Sequence, residues 1–106
     1  MSGSITISQL RAESSSFAQL VDVRSSTEFD VGHIPAAVNI PMDQIESRLD
    51  DLSPSGPVVL ICKAGTRARI TAELLSGCGR KFAVLEGGTD AWVRDGLPLV
   101  SSMKTR

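Results

Sequence analysis

Short apolar runs alternate with amphipathic stretches along this chain, a pattern that predicts parallel strands joined by crossover helices and hence an α/β fold. Strands are expected at Thr6–Ile7, Gln19–Val23, Ala37–Ile40, Pro57–Ile61 and Phe82–Leu85. The fourth is apolar throughout, as a strand covered on both faces must be, so it belongs inside the sheet. Ser8 is spaced to cap a helix over Gln9–Glu13, and Ser25-Ser26-Thr27-Glu28 has the Ser-x-x-Glu order of a capping box, which starts a second helix near Ser25. Met42, Ile45, Leu49 and Leu52 fall at intervals of three, four and three, predicting a surface helix with Asp43, Glu46, Arg48 and Asp50 toward water. A fourth helix runs from Thr66 or Arg67 to Leu75, with Ile70 and Leu74 one turn apart and Arg69 placed to pair with Glu73, until Gly77 and Gly79 stop it. The last, Thr89–Arg94, is bounded by Gly96 and Pro98. The connecting stretches Gly32–Ala36 and Leu52–Gly56 carry turn chemistry, and no repeat interrupts the pattern.

Composition narrows the class. With 106 residues and 42% hydrophobic content, the chain has the size of one domain with one core, expected over about residues 5–99 between polar termini. Lysine and arginine number 11 against 12 acidic residues, a net charge of -1, so no overall field draws the chain to nucleic acid or to an acidic membrane. Cys62 and Cys78 are too few for a disulfide framework, and with the single His33 they fall short of a zinc site, so no metal is expected. Reduced thiols point to a cytoplasmic setting. Met1–Ile5 has neither a charged n-region nor an apolar h-region, and the longest apolar run is Val58–Cys62, so neither secretion nor membrane spanning is expected. The polar end, Ser101–Arg106, is compatible with a module of a longer protein.

The candidate chemistry lies where the buried fourth strand ends and the fourth helix begins. Cys62-Lys63-Ala64-Gly65-Thr66-Arg67-Ala68 forms a tight loop there, and in open parallel sheets ligands bind outside such strand ends. Gly65 gives the freedom to curl the loop around the sulfur, Thr66 is a candidate cap, and the inward amides with the helix start favour an anion. Lys63 and Arg67 add positive charge at the rim. A cation at a helix start opposes the macrodipole, so Arg67 reads as an anion-binding residue, whereas Lys63 reads equally as a solvated charge. A buried structural role for Cys62 is disfavoured by this Gly-containing, basic setting, while Cys78 between Gly77 and Gly79 reads as an inert thiol.

Other polar residues carry structural readings first. Arg24 and Glu28 are four apart, so an ion pair or the capping box accounts for both. His33 lacks a catalytic partner at recognisable spacing and reads as a hydrogen-bonded turn residue. Asp22 either shapes the pocket or accepts loop N–H bonds. Trp92 packs the last helix onto the sheet, or else lines the pocket.

Taken together, Val21-Asp22-Val23-Arg24, Glu28-Phe29 and Gly32-His33-Ile34-Pro35-Ala36-Ala37-Val38-Asn39-Ile40-Pro41 resemble the amino-terminal signature of single-domain rhodanese-like sulfurtransferases. Leu85-Glu86-Gly87-Gly88-Thr89-Asp90-Ala91-Trp92 with Gly96-Leu97-Pro98 resembles the carboxy-terminal one, so the likeness extends from about Ile5 to Leu99. It implies a five-stranded, mostly parallel sheet with helices on both faces and an active site headed by Cys62. It also implies a Cys62 persulfide, formed from a donor such as thiosulfate and discharged to cyanide, a thiol or a protein sulfur acceptor, with no metal or organic cofactor. Lys63 or Arg67 would then hold the departing sulfite.

Two rivals share that fold. Dual-specificity phosphatases of the same architecture need a Cys-x5-Arg loop, but here the sixth position after Cys62 is Ala68, with Arg67 and Arg69 on either side. A noncatalytic module that only docks a partner would be marked most clearly by loss of the cysteine, which is present, while sulfur relay to a partner protein stays compatible with these residues.

Overall fold

The computed structural model describes residues 3–102. In chain order these form β1 (Gly3–Ile5), α1 (Ile7–Ala12), a short 3-10 turn (Ser14–Ser16), β2 (Gln19–Asp22), α2 (Ser26–Val31), β3 (Val38–Asn39), a longer 3-10 segment (Ile45–Asp51), β4 (Val58–Ile61), α3 (Thr66–Leu74), β5 (Phe82–Leu85) and α4 (Gly88–Arg94). The strands make one sheet in the order β1-β5-β4-β2-β3, and every ladder between them is parallel.

The sheet divides the apolar interior in two because successive side chains of a strand point to opposite faces. On β4, Val58 and Leu60 join one cluster with Ala68, Ala72 and Leu75 of the α3 region and Ile45 and Leu52 of the 3-10 region. Val59 and Ile61 join the other, with Ile7 and Leu10 of α1 and Ala91 of α4. All four β4 residues are fully buried, as a strand with covers on both faces and neighbours on both edges requires. The expected α/β architecture is therefore present, with helical layers on both sides of an all-parallel sheet.

Several local expectations are corrected. Thr6–Ile7 is not a strand: the Thr6 hydroxyl accepts the Gln9 amide while the Gln9 side chain accepts the Thr6 amide. This Thr-x-x-Gln capping box turns the chain into α1 two residues before Ser8, and the strand lies earlier, at Gly3–Ile5. The Met42–Leu52 stripe is not an α-helix. Its core is a 3-10 segment broken at Arg48, with the Ser47 hydroxyl bonded to the Gln44 carbonyl at 2.8 Å, a local bond that competes with the α-helical ladder. The stripe still faces the core, since Ile45 and Leu52 are buried and Met42 and Leu49 pack beside them.

In α3 the buried face is Ala68, Thr71 and Ala72, while Ile70 and Leu74 are nearly half exposed. Small alanines let the helix lie close to the sheet, and Thr71 tolerates burial because its hydroxyl bonds the Arg67 carbonyl at 2.7 Å. Arg69 makes no ion pair with Glu73 among the described residues. The second capping box is as expected, with Ser25 and Glu28 satisfying each other's amides at the start of α2.

Candidate active site

Cys62 is the first residue beyond β4, and the strand's alternation carries its side chain to the face occupied by Val58 and Leu60. There it is 1% exposed and touches the apolar cluster of that face. The sulfur is nonetheless met by a main-chain donor: the Gly65 amide donates to Sγ at 3.0 Å. That turn requires the backbone of Gly65 at φ +113°, a conformation that a side chain resists.

Gly65 is also the N-cap of α3, without any side-chain cap, so Thr66 is the first helical residue and not the capping one. Helix geometry leaves the amides of Thr66, Arg67 and Ala68 without intrahelical acceptors, directed back toward the loop. Three of the loop carbonyls, by contrast, are occupied. Thr89 N donates to Cys62 O and Asp90 N to Lys63 O, both at 2.9 Å, and Arg69 N donates to Gly65 O at 3.0 Å.

The start of α4 is thus a second support for the loop, one that sequence reasoning read only as part of a signature. Gly87 and Gly88 both have positive φ, +73° and +55°, and a Cβ on Gly88 would overlap the carbonyl oxygens of Cys62 and Lys63. The signal available in the sequence was the Gly-Gly pair immediately before a helix. Thr89, 5% exposed, keeps a buried hydroxyl with no hydrogen-bond partner among the described residues.

The basic residues do not stand free at the rim. Arg67 makes a two-pronged pair with Glu28, with Nη1 to Oε1 at 2.7 Å and Nη2 to Oε2 at 3.0 Å. The guanidinium, aided by the Ser25 contacts, lowers the Glu28 carboxyl from 4.5 to about 2. Glu28 in turn raises Arg67, with smaller contributions from Cys62 and Asp22. Lys63 pairs with Asp90 at 3.1 Å in an exposed contact.

Arg24 does not pair with Glu28. It forks onto Asp22, with its Nη2 2.8 Å from Oδ2, and it also donates to the Gly32 carbonyl. Asp22, wholly buried, accepts the Arg24 amide as well, and it lies opposite Ile61 in the ladder, beside the start of the Cys62 loop. Asp22, Arg24, Glu28 and Arg67 therefore gather at the carboxyl ends of β2 and β4.

His33 and Trp92 are elsewhere. His33 Nδ1 hydrogen-bonds the Phe29 carbonyl at 2.8 Å and its ring stacks on Phe29 at 3.7 Å, while its backbone forms an antiparallel bridge with Val100 and does not lie in a turn. Trp92 donates to the Pro98 carbonyl at 2.8 Å and packs into the cluster on the sheet face opposite Cys62. There it lines a cleft of about 440 Å³ with Phe17 and Ile34. Cys78 packs at the edge of the other cluster.

Residues 6–95, which span this loop and the central strand before it, match the family described as Rhodanese-like domain. The chain belongs to the rhodanese-like domain family. This rhodanese-like domain is 38% identical over 84 residues to a sulfurtransferase of Allochromatium vinosum, covering 77% of this chain and 78% of that one. It is 33% identical to a thiosulfate sulfurtransferase of Actinobacillus pleuropneumoniae serotype 3, covering 77% of each. Among solved structures it superposes with a TM-score of 0.85 on a rhodanese-related protein of Thermoplasma volcanium, at 28% identity, covering 92% of this chain and 97% of that one. Among the described residues no helix is long and apolar enough to cross a membrane.

Proposed function

We propose that this rhodanese-like domain is a sulfurtransferase that moves a sulfane sulfur from a donor such as thiosulfate to a thiophilic acceptor, cyanide or a thiol, through a persulfide on Cys62. In the first half-reaction the Cys62 thiolate attacks the outer sulfur of thiosulfate. The new Sγ–S bond forms as the bond to the sulfonate sulfur breaks, and the electron pair leaves with sulfite. In the second, the acceptor attacks the outer sulfur and Cys62 departs as thiolate. Cyanide leaves as thiocyanate.

The observation that carries this reading is the Gly65 amide aimed at the Cys62 sulfur, at the start of a helix whose first amides, those of Thr66, Arg67 and Ala68, have no intrahelical acceptors. Such donors stabilise negative charge on a terminal sulfur without needing to reorganise during the reaction. The names of the relatives support sulfur transfer, and Ala68 at the sixth position after Cys62 speaks against phosphoryl chemistry.

Intact-mass measurement tests it. Thiosulfate is expected to add the mass of one sulfur atom, cyanide to remove it as thiocyanate, and Cys62→Ser to stay unlabelled. An unchanged mass together with hydrolysis of an aryl phosphate would overturn the reading in favour of a phosphatase. An unchanged mass with no phosphatase activity would leave a docking module.

A further inference from the structure

Three cations surround the Cys62 loop, and each is already matched. Arg67 is forked by Glu28, Arg24 by Asp22, and Lys63 meets Asp90. A fourth, Arg69, borders a groove of about 740 Å³ that reaches Ala64 and Gly65, but Glu73 and Glu86 line the same groove. On the other side of Arg67, Asp43 and Glu46 line a shallower groove of about 370 Å³. Among the described residues the surroundings of the sulfur thus hold more carboxylates than cations, and the attraction left for an incoming anion comes chiefly from main-chain amides.

This matters because donors differ in charge. Thiosulfate brings two negative charges to a site where the nucleophile is itself an anion, and like charges at contact distance repel strongly in partly dry surroundings. A hydropersulfide, R–S–SH, brings none on its reacting end, or one when ionised. We propose that Glu28 is a specificity-determining residue: by holding Arg67 it withdraws the cation at the start of α3 from an incoming anion and favours hydropersulfide donors over the thiosulfate dianion. The inference rests on the sulfurtransferase reading above and names its donor class. In the step with R–S–SH, the Cys62 thiolate bonds to the outer sulfur and the S–S bond to the inner sulfur breaks. The electron pair leaves as R–S⁻, and the proton stays on the transferred sulfur, so charge is conserved.

Glu28→Gln isolates the charge, because a glutamine at the third helical position still completes the capping box with Ser25. The experiment measures kcat/KM of the wild type and of Glu28→Gln for thiosulfate and for the hydropersulfide of 2-mercaptoethanol, whose organic part is uncharged. The wild type is expected to use the hydropersulfide at least about tenfold better, and Glu28→Gln to raise thiosulfate use about fivefold while changing hydropersulfide use less than about twofold, the reach of one unmatched charge near a dianion. Equal or better use of thiosulfate by the wild type, or a parallel change with both donors in the variant, overturns the donor assignment alone. Failure of both donors to place sulfur on Cys62 instead overturns the sulfurtransferase reading on which it rests. Denaturant curves for the two proteins establish that both are folded during the comparison.

Discussion

Gly88 lies against the carbonyl of Cys62 so closely that a single methyl group on its Cα would overlap the oxygen. Its backbone, at φ +55°, is also one that alanine adopts only with strain. Gly88→Ala is therefore expected to destabilise the fold by about 2–4 kcal/mol, combining overpacking with backbone strain. The folded fraction should also load sulfur onto Cys62 more slowly, because the loop must move to make room. Urea denaturation and the rate of mass gain with a sulfur donor check the two parts separately.

The buried pair of Asp22 and Arg24 makes a second case. Arg24→Ala strands a carboxylate that is 0% exposed, and losing one partner of a buried pair costs about 3–5 kcal/mol. The same truncation at Arg67, a half-exposed residue, is expected to cost less than about 1 kcal/mol of stability. Arg67→Ala should instead change donor use, since it alters charge at the start of α3. Chemical denaturation of both variants decides the order, and a smaller loss for Arg24→Ala would contradict the assignment.

Glu28 links stability to acidity. Its folded value is below the ordinary one, about 2 against 4.5, so its contribution is in place above about pH 4.5 and is lost as the pH falls toward 2. The side chain is 36% exposed, and screening holds that contribution to about 1 kcal/mol or less. Wild type should thus exceed Glu28→Gln modestly at pH 6 and converge with it near pH 2. Denaturation midpoints collected across that range measure the difference, and a gap that widens on acidification would show the sign to be wrong.

Thr89 offers a prediction in the opposite direction. Its hydroxyl is buried without a partner among the described residues, so Thr89→Val removes a polar atom that gains nothing there and keeps the branched shape. The variant is expected to be as stable as the wild type or more so, by up to about 1 kcal/mol. A loss of more than that amount in thermal melts would reveal an acceptor for the hydroxyl.

What the sequence made legible follows from how local each signal is. The strands β4 and β5 stand out as unbroken apolar runs, and α2 is announced by Ser25 and Glu28 three residues apart, so both survive translation into three dimensions. Cys62 and Gly65 are likewise adjacent enough for their roles in one turn to be inferred. The partner of Arg67 was not accessible, since Glu28 lies 39 residues away and meets it only through the ladder that sets β2 beside β4. Arg24 misled for the related reason that a neighbour two residues off, Asp22, lies nearer than the helical neighbour at four. The orientation of α3 was hidden because its buried positions are alanines and a threonine, while the larger Ile70 and Leu74 are left outside. Gly88 was marked only by the Gly-Gly pair before a helix, and what it supports stayed hidden because its value lies in the absence of a side chain against another segment's carbonyls.

The amide bonds from α4 give the Cys62 loop a one-way polarity. The oxygens of Cys62 and Lys63 are turned toward Thr89 and Asp90, and that of Gly65 toward Arg69, so these three oxygens are withheld from a visitor while the amide hydrogens at the start of α3 remain to greet it. A molecule that arrives with lone pairs finds willing hosts, whereas an ammonium or amide-bearing group finds those acceptors already engaged. Selection by hydrogen-bonding sense is built into the main chain itself, and side-chain replacement around the rim would leave it in force.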